Sequence, residues 1–104
     1  MLTIRYEILL PLRYNEGSEV EDMKFAQTWE ELVAKFGAIT IQPELLRGIW
    51  QHEGERYEDT LIRFILDLKD TPETEGFFVA FKEVLKRRLR QIDIWMVAYS
   101  IRII

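Results

Sequence analysis

Ile92-Asp-Ile-Trp-Met-Val-Ala-Tyr-Ser-Ile-Arg-Ile-Ile104 is β-branched and aromatic almost throughout, and it is apolar on both faces over most of its length. Two-residue alternation sets Trp95, Val97, Tyr99, Ile101 and Ile103 on one side, and Ile92, Ile94, Met96 and Ala98 on the other. A strand with one dry and one wet face alternates apolar with polar residues, so both sides of this strand need a cover. Its only charges are Asp93 and Arg102. What lies before it decides what can supply that cover.

Working back, Pro72 to Gln91 reads as a helix. Asp70-Thr71-Pro72-Glu73 starts it, with the proline just inside the cap, and Phe77, Phe78, Phe81, Val84, Leu85 and Leu89 form its buried stripe. Asp59 to Leu68 is a long strand, with Thr60, Ile62, Phe64, Leu66 and Leu68 on one face and Leu61, Arg63, Ile65 and Asp67 on the other. It continues from a hairpin in which Gly48–His52 and Glu55–Glu58 flank Glu53-Gly54. A short strand, Ala38 to Gln42, precedes the hairpin and is interrupted by Pro43.

Ser18 and Glu21 have capping-box spacing and open a first helix that runs to about Phe36, where Gly37 ends it. Its stripe is Phe25 or Ala26, Trp29, Leu32, Val33 and Phe36. Asn15-Glu-Gly17 is a turn, and Leu2 to Leu12 is the first strand. The order is β-α-β-β-α-β. Short connections and right-handed crossovers turn that order into an α+β ferredoxin-like sandwich, a four-stranded antiparallel sheet with two helices on one face and an extended β2–β3 hairpin. At 104 residues the chain is expected to form one domain, 1–104.

In this topology the last strand lies at the sheet edge beside the first. The expected helix side holds Tyr6, Ile8, Ile62, Phe64, Trp95, Val97 and Tyr99. That leaves Leu9, Leu61, Ile65, Ile94, Met96 and Ala98 on the open side, mixed with Arg5, Glu7, Arg63 and Asp67. An uncovered apolar edge strand invites association. The expected partner is therefore a second copy, a homodimer joined through Ile94, Met96 and Ala98, which Met96→Lys should split while sparing the fold.

Composition bounds the chemistry. Hydrophobic residues make up 48% and charged residues 31%, the balance of a folded soluble domain. The absence of cysteine excludes disulfides, thiolate metal sites and cysteine nucleophiles, and fits a reducing compartment. Arg5 and Glu7 interrupt the apolar N-terminal stretch, which reads as a strand and not as a signal peptide or membrane span, so the expected location is the cytoplasm. A net charge of −4 argues against nucleic acid, and the basic run Lys86 to Arg90 reads as a solvated helix end, where cations suit the helix dipole.

His52 is the only histidine, placed by the pattern at a hairpin tip. Trp50 and Tyr57 can face each other across the hairpin as a stabilising aromatic pair. Their alternative role, with His52 and Arg63, is to line a ligand pocket. Glu53, Glu55, Glu58 and Asp59 cluster without the spacing of a calcium loop, so no metal and no cofactor is implied. Arg5, Glu7, Arg63 and Asp67 are placed to build cross-strand ion pairs.

Known users of this fold carry motifs that this chain lacks. The Arg13–Gly17 loop does not fit the phosphate loop of acylphosphatases, and the C-x-x-C pair of copper chaperones is absent. Leu10-Pro11-Leu12 stands where the small CRISPR-associated nucleases end their first strand in aspartate, and Leu61, Arg63, Ile65 and Asp67 replace the stacking aromatics of RNA-recognition domains. The pattern R-x-L-R-Q-x-D-I-W-M at Arg87 to Met96, the terminal I-R-I-I, and Gly48, Trp50, Gly54, Tyr57 and Asp59 in G-x-W-x-x-x-G-x-x-Y-x-D together resemble a group of short uncharacterised bacterial proteins. The resemblance implies bacterial origin and the βαββαβ order, and it carries no catalytic residue. The expectation is thus a homodimeric binding or interaction protein of unknown ligand. The alternative is a cofactor-independent monooxygenase or isomerase of the dimeric α+β barrel type.

Overall fold

The computed structural model describes residues 2–104, and Met1 lies outside the described residues. Along the chain run β1 (Thr3–Pro11), α1 (Asp22–Phe36), β2 (Thr40–His52), β3 (Glu55–Lys69), α2 (Pro72–Arg88) and β4 (Trp95–Ile101). The strands form one antiparallel sheet in the order β2-β3-β1-β4, which is the ferredoxin-like arrangement. Thus β4 is an edge strand beside β1, and β2 is the other edge.

The helix-facing side is built from the expected β1 and β3 residues. Tyr6, Ile8 and Leu10 of β1 and Phe64 and Leu66 of β3 are buried against Phe25 and Leu32 of α1 and Phe78, Phe81 and Leu85 of α2. Fully burying one such side chain contributes about 1.5–3 kcal/mol, so this layer carries the fold. Tyr6 stacks on Phe78 with ring centroids 4.0 Å apart, and Phe78 stacks on Phe36, which fixes both helices over the sheet centre.

At the far end of α2 the chain turns sharply. Gln91 N–H reaches Lys86 C=O at 2.8 Å and Arg90 N–H reaches Arg87 C=O at 3.3 Å, with Arg90 left-handed at φ 52°. The basic run is largely spent inside the molecule. Arg88 donates to Glu31 at 2.7 Å and to Thr28 at 2.9 Å, tying α2 to α1; Lys86 pairs with Glu83 at 3.2 Å; and Arg90 lies over the Tyr14 ring.

Three expectations are corrected. Ser18 does not cap α1: residues 12–20 fold back on themselves, with Tyr14 N–H bonded to Ser18 C=O at 2.8 Å and Val20 N–H to Leu12 C=O at 2.9 Å. Ser18 therefore turns to Glu16, α1 starts at Asp22, and Glu21 accepts from the Tyr14 hydroxyl. Next, Pro43 does not end β2. The strand runs through it because four steps along β2, Gln42 to Leu46, are matched by two along β3, Arg63 to Leu61. A proline without an N–H is tolerated at such a bulge on an edge strand.

The third correction concerns β4, whose faces are inverted relative to the expectation. Met96 pairs with Ile8 and Ala98 with Tyr6, so these two lie on the helix side, while Trp95, Val97 and Tyr99 stand opposite Leu9, Glu7 and Arg5 on the open side. Ile94 is 1% exposed and belongs to the core, and Met96 packs against it. Both parities of the stretch are apolar, so alternation cannot choose between them. The register with β1 does.

Candidate functional site

The open side of the sheet carries a polar belt that crosses all four strands. Tyr99 on β4 donates its hydroxyl to Glu7 on β1, Glu7 faces Arg63 on β3 at 3.2 Å, and Arg63 donates to Gln42 on β2 at 3.2 Å. One step along, Arg5 grips Asp67 with two contacts of 2.7 and 2.9 Å. Two-residue periodicity on paired strands makes this possible: Arg5↔Asp67 are opposed in the register, as are Gln42↔Arg63 and Arg5↔Tyr99. The expected cross-strand ion pairs are therefore present.

The electrostatics follow from the geometry. Hydrogen bonding from Arg5 holds the Asp67 carboxyl below the usual carboxylate range, and the same bond raises the Arg5 guanidinium. The Tyr99 hydroxyl is raised because it donates to the Glu7 carboxylate. Two guanidiniums meet two carboxylates, so the belt is neutral as a whole. Arg63 Nε is its one buried polar atom without a hydrogen-bond partner among the described residues.

On one side of the belt, β2 and β3 run on past the end of β1 as a hairpin. Its turn places Glu53 at φ 52° and Gly54 at φ 80°, a conformation in which glycine is at ease. Trp50 and Tyr57 are directly opposed and stack with centroids 4.4 Å apart. The Trp50 indole N–H donates to Asp59 at 2.7 Å, a partner that alternation alone did not predict.

Where this hairpin leaves the sheet there is a cavity of about 410 Å³. The central strands contribute Leu9, Pro11 and Leu61; the hairpin contributes Gly48, Trp50 and Asp59; and Trp95 and the α2–β4 connection close the far side. From that connection comes Asp93. Burial acts to raise its carboxyl, but hydrogen bonds from Lys82 and from the Ile94 N–H outweigh this and hold it low.

The sequence candidates are thus dispersed. Trp50 borders the cavity; Tyr57 backs it through the stack; Arg63 belongs to the belt. The His52 side chain, 43% exposed, contacts only Glu53, at 3.6 Å, among the charged groups of the described residues, and it is not part of the cavity lining. Asp59 and Trp95 are the site residues that sequence reasoning missed. The G-x-W…Y-x-D spacing held the signal for Asp59, since in a two-residue turn hairpin Gly48 pairs with Asp59. Among the described residues no group of three or more His, Asp or Glu is arranged to hold a metal ion, and no helix is long and apolar enough to cross a membrane.

No family model and no curated protein matches the sequence. Among solved structures the chain is similar to CutA1 from Oryza sativa, with a TM-score of 0.64 and 12% identity over 98% of this chain and 82% of that one. It is also similar to the divalent cation tolerance protein CutA1 from Thermus thermophilus, with a TM-score of 0.63 and 18% identity over 97% and 85% of the two chains. A phage SAM lyase in complex with S-methyl-5'-thioadenosine gives a TM-score of 0.67 and 14% identity over 97% and 90%. At these identities the likeness establishes the fold: the chain is a ferredoxin-like α+β protein.

Proposed function

We propose that the protein acts by binding, as a self-associated domain whose open sheet face is covered by a second copy of the chain. The observation that carries this reading is the outer layer of β4. Trp95 is 64% exposed and Tyr99 44% exposed on the open side, beside a belt whose charges already pair with one another. Covering Trp95 and Tyr99 removes large aromatic surfaces from water at about 25 cal/mol per Å² and leaves the belt charges paired with one another. A homodimer is the simplest assembly, and a cytoplasmic, bacterial setting belongs to the same reading. Light scattering at micromolar concentration tests it: a mass of at least twice the 12.5 kDa chain is expected, and a mass of one chain contradicts it.

The cavity favours a second reading, a cofactor-independent monooxygenase or isomerase of the dimeric α+β barrel type. Asp59 and Asp93 are the titratable groups that line it among the described residues, so Asp59 would replace His52 as the acid or base. This reading predicts that Asp59→Asn abolishes turnover even at saturating substrate. Unchanged turnover in that variant would contradict it.

A further inference from the structure

We infer that the cavity at the base of the β2–β3 hairpin is a binding site for an organic cation, a protonated amine carried on a flat apolar body. At about 410 Å³ it has the size of a small-molecule site, and most of its wall is apolar. Its charge is what selects the ligand. Asp59 receives one neutral donor, the Trp50 indole N–H at 2.7 Å, and has no lysine, arginine or histidine ion-pair partner among the described residues. Asp93, the other carboxylate on the wall, is already matched by Lys82 at 3.2 Å. Among the described residues no cationic side chain lines the cavity. A guest therefore meets one uncompensated negative charge on a wall that also carries two indoles, Trp50 and Trp95.

That combination attracts an ammonium group through the carboxylate, while the indoles supply apolar wall for a flat body. A neutral guest gains only the apolar walls, and an anion is repelled. Gly48, opposed to Asp59 in the hairpin, packs closely on the wall: a Cβ there would stand 3.0 Å from Leu61 Cδ1. All of these residues come from one chain, so the site is complete without a second copy, although Trp95 also belongs to the face that the proposed assembly covers.

The test uses three probes with one ring system and different charge: tryptamine, indole-3-ethanol and indole-3-acetate, titrated at neutral pH into the whole protein. The readout is the indole N–H resonances of the three tryptophans. Tryptamine is expected to shift Trp50 and Trp95 saturably while Trp29 on α1 stays put. Indole-3-ethanol is expected to bind about tenfold more weakly, the difference set by a charge-assisted contact. Indole-3-acetate should shift nothing. Asp59→Asn, whose amide oxygen can still accept from the Trp50 indole, should lower tryptamine to the level of the alcohol and leave the alcohol unchanged. Equal affinity for the three probes, full tryptamine affinity in Asp59→Asn, or no saturable shift at Trp50 and Trp95 would overturn the inference.

Discussion

Arg5 and Asp67 meet from adjacent strands with both guanidinium contacts made, and the pair carries a pH signature. The folded Asp67 carboxyl lies below its unfolded value of about 3.9, because hydrogen bonding from Arg5 favours the charged form. A depressed carboxyl contributes stability that is present above the unfolded value and is lost as pH falls through the folded one. Asp67→Asn should therefore lower the urea midpoint at neutral pH, and the gap to the parent chain should close as the pH is taken below about 4. A gap that stays constant with pH would show that the pair contributes nothing through ionisation. The four belt charges were legible from alternation, which put Arg5, Glu7, Arg63 and Asp67 on one face. Asp59 was not legible from alternation, which assigns a face and not a neighbour. Its bond to Trp50 depends on two residues nine apart meeting across a hairpin.

At the scale of elements, each segment was recognisable, and the details that failed were set by strand register at β4 and Pro43 and by local hydrogen bonding at Ser18. The two helices, the hairpin and the long β3 follow from stripe spacing, the Glu53-Gly54 turn and strict alternation. The parity of β4 could not be read from a stretch apolar on both sides, and only its pairing with β1 sets Met96 over Ile8. This reverses the expected effect of a charge there. Met96→Lys should lower the thermal midpoint, because Met96 packs against the core from the helix side, and an unchanged midpoint would contradict the observed register. The hairpin offers a change of opposite sign. Glu53 holds φ 52° without being glycine, and asparagine tolerates that region better, so Glu53→Asn should stabilise by on the order of half a kcal/mol in urea unfolding. Destabilisation would mean that the 3.6 Å contact with His52 matters more than the backbone.

For the molecule as a whole, the open sheet face separates a free-standing domain from a self-associating one. The helices cover one side of the sheet, and the other side presents Trp95, Val97 and Tyr99 beside a neutral polar belt. That this face would be apolar at β4 was legible from the double stripe of Ile92 to Ile104; which stripe formed it was not. Val97 is the residue on which the two roles separate most cleanly. It stands opposite Glu7 on the open side, so a lysine there adds a charge that a monomer can solvate and pair, but that a covering partner cannot accept. The direct measurement is the solution mass of the parent chain and of Val97→Lys, each with its thermal midpoint. The account predicts an oligomer for the parent, a single 12.5 kDa chain for Val97→Lys, and a folded protein in both cases. An oligomer that survives Val97→Lys unchanged, or a parent chain that is already monomeric, would contradict it.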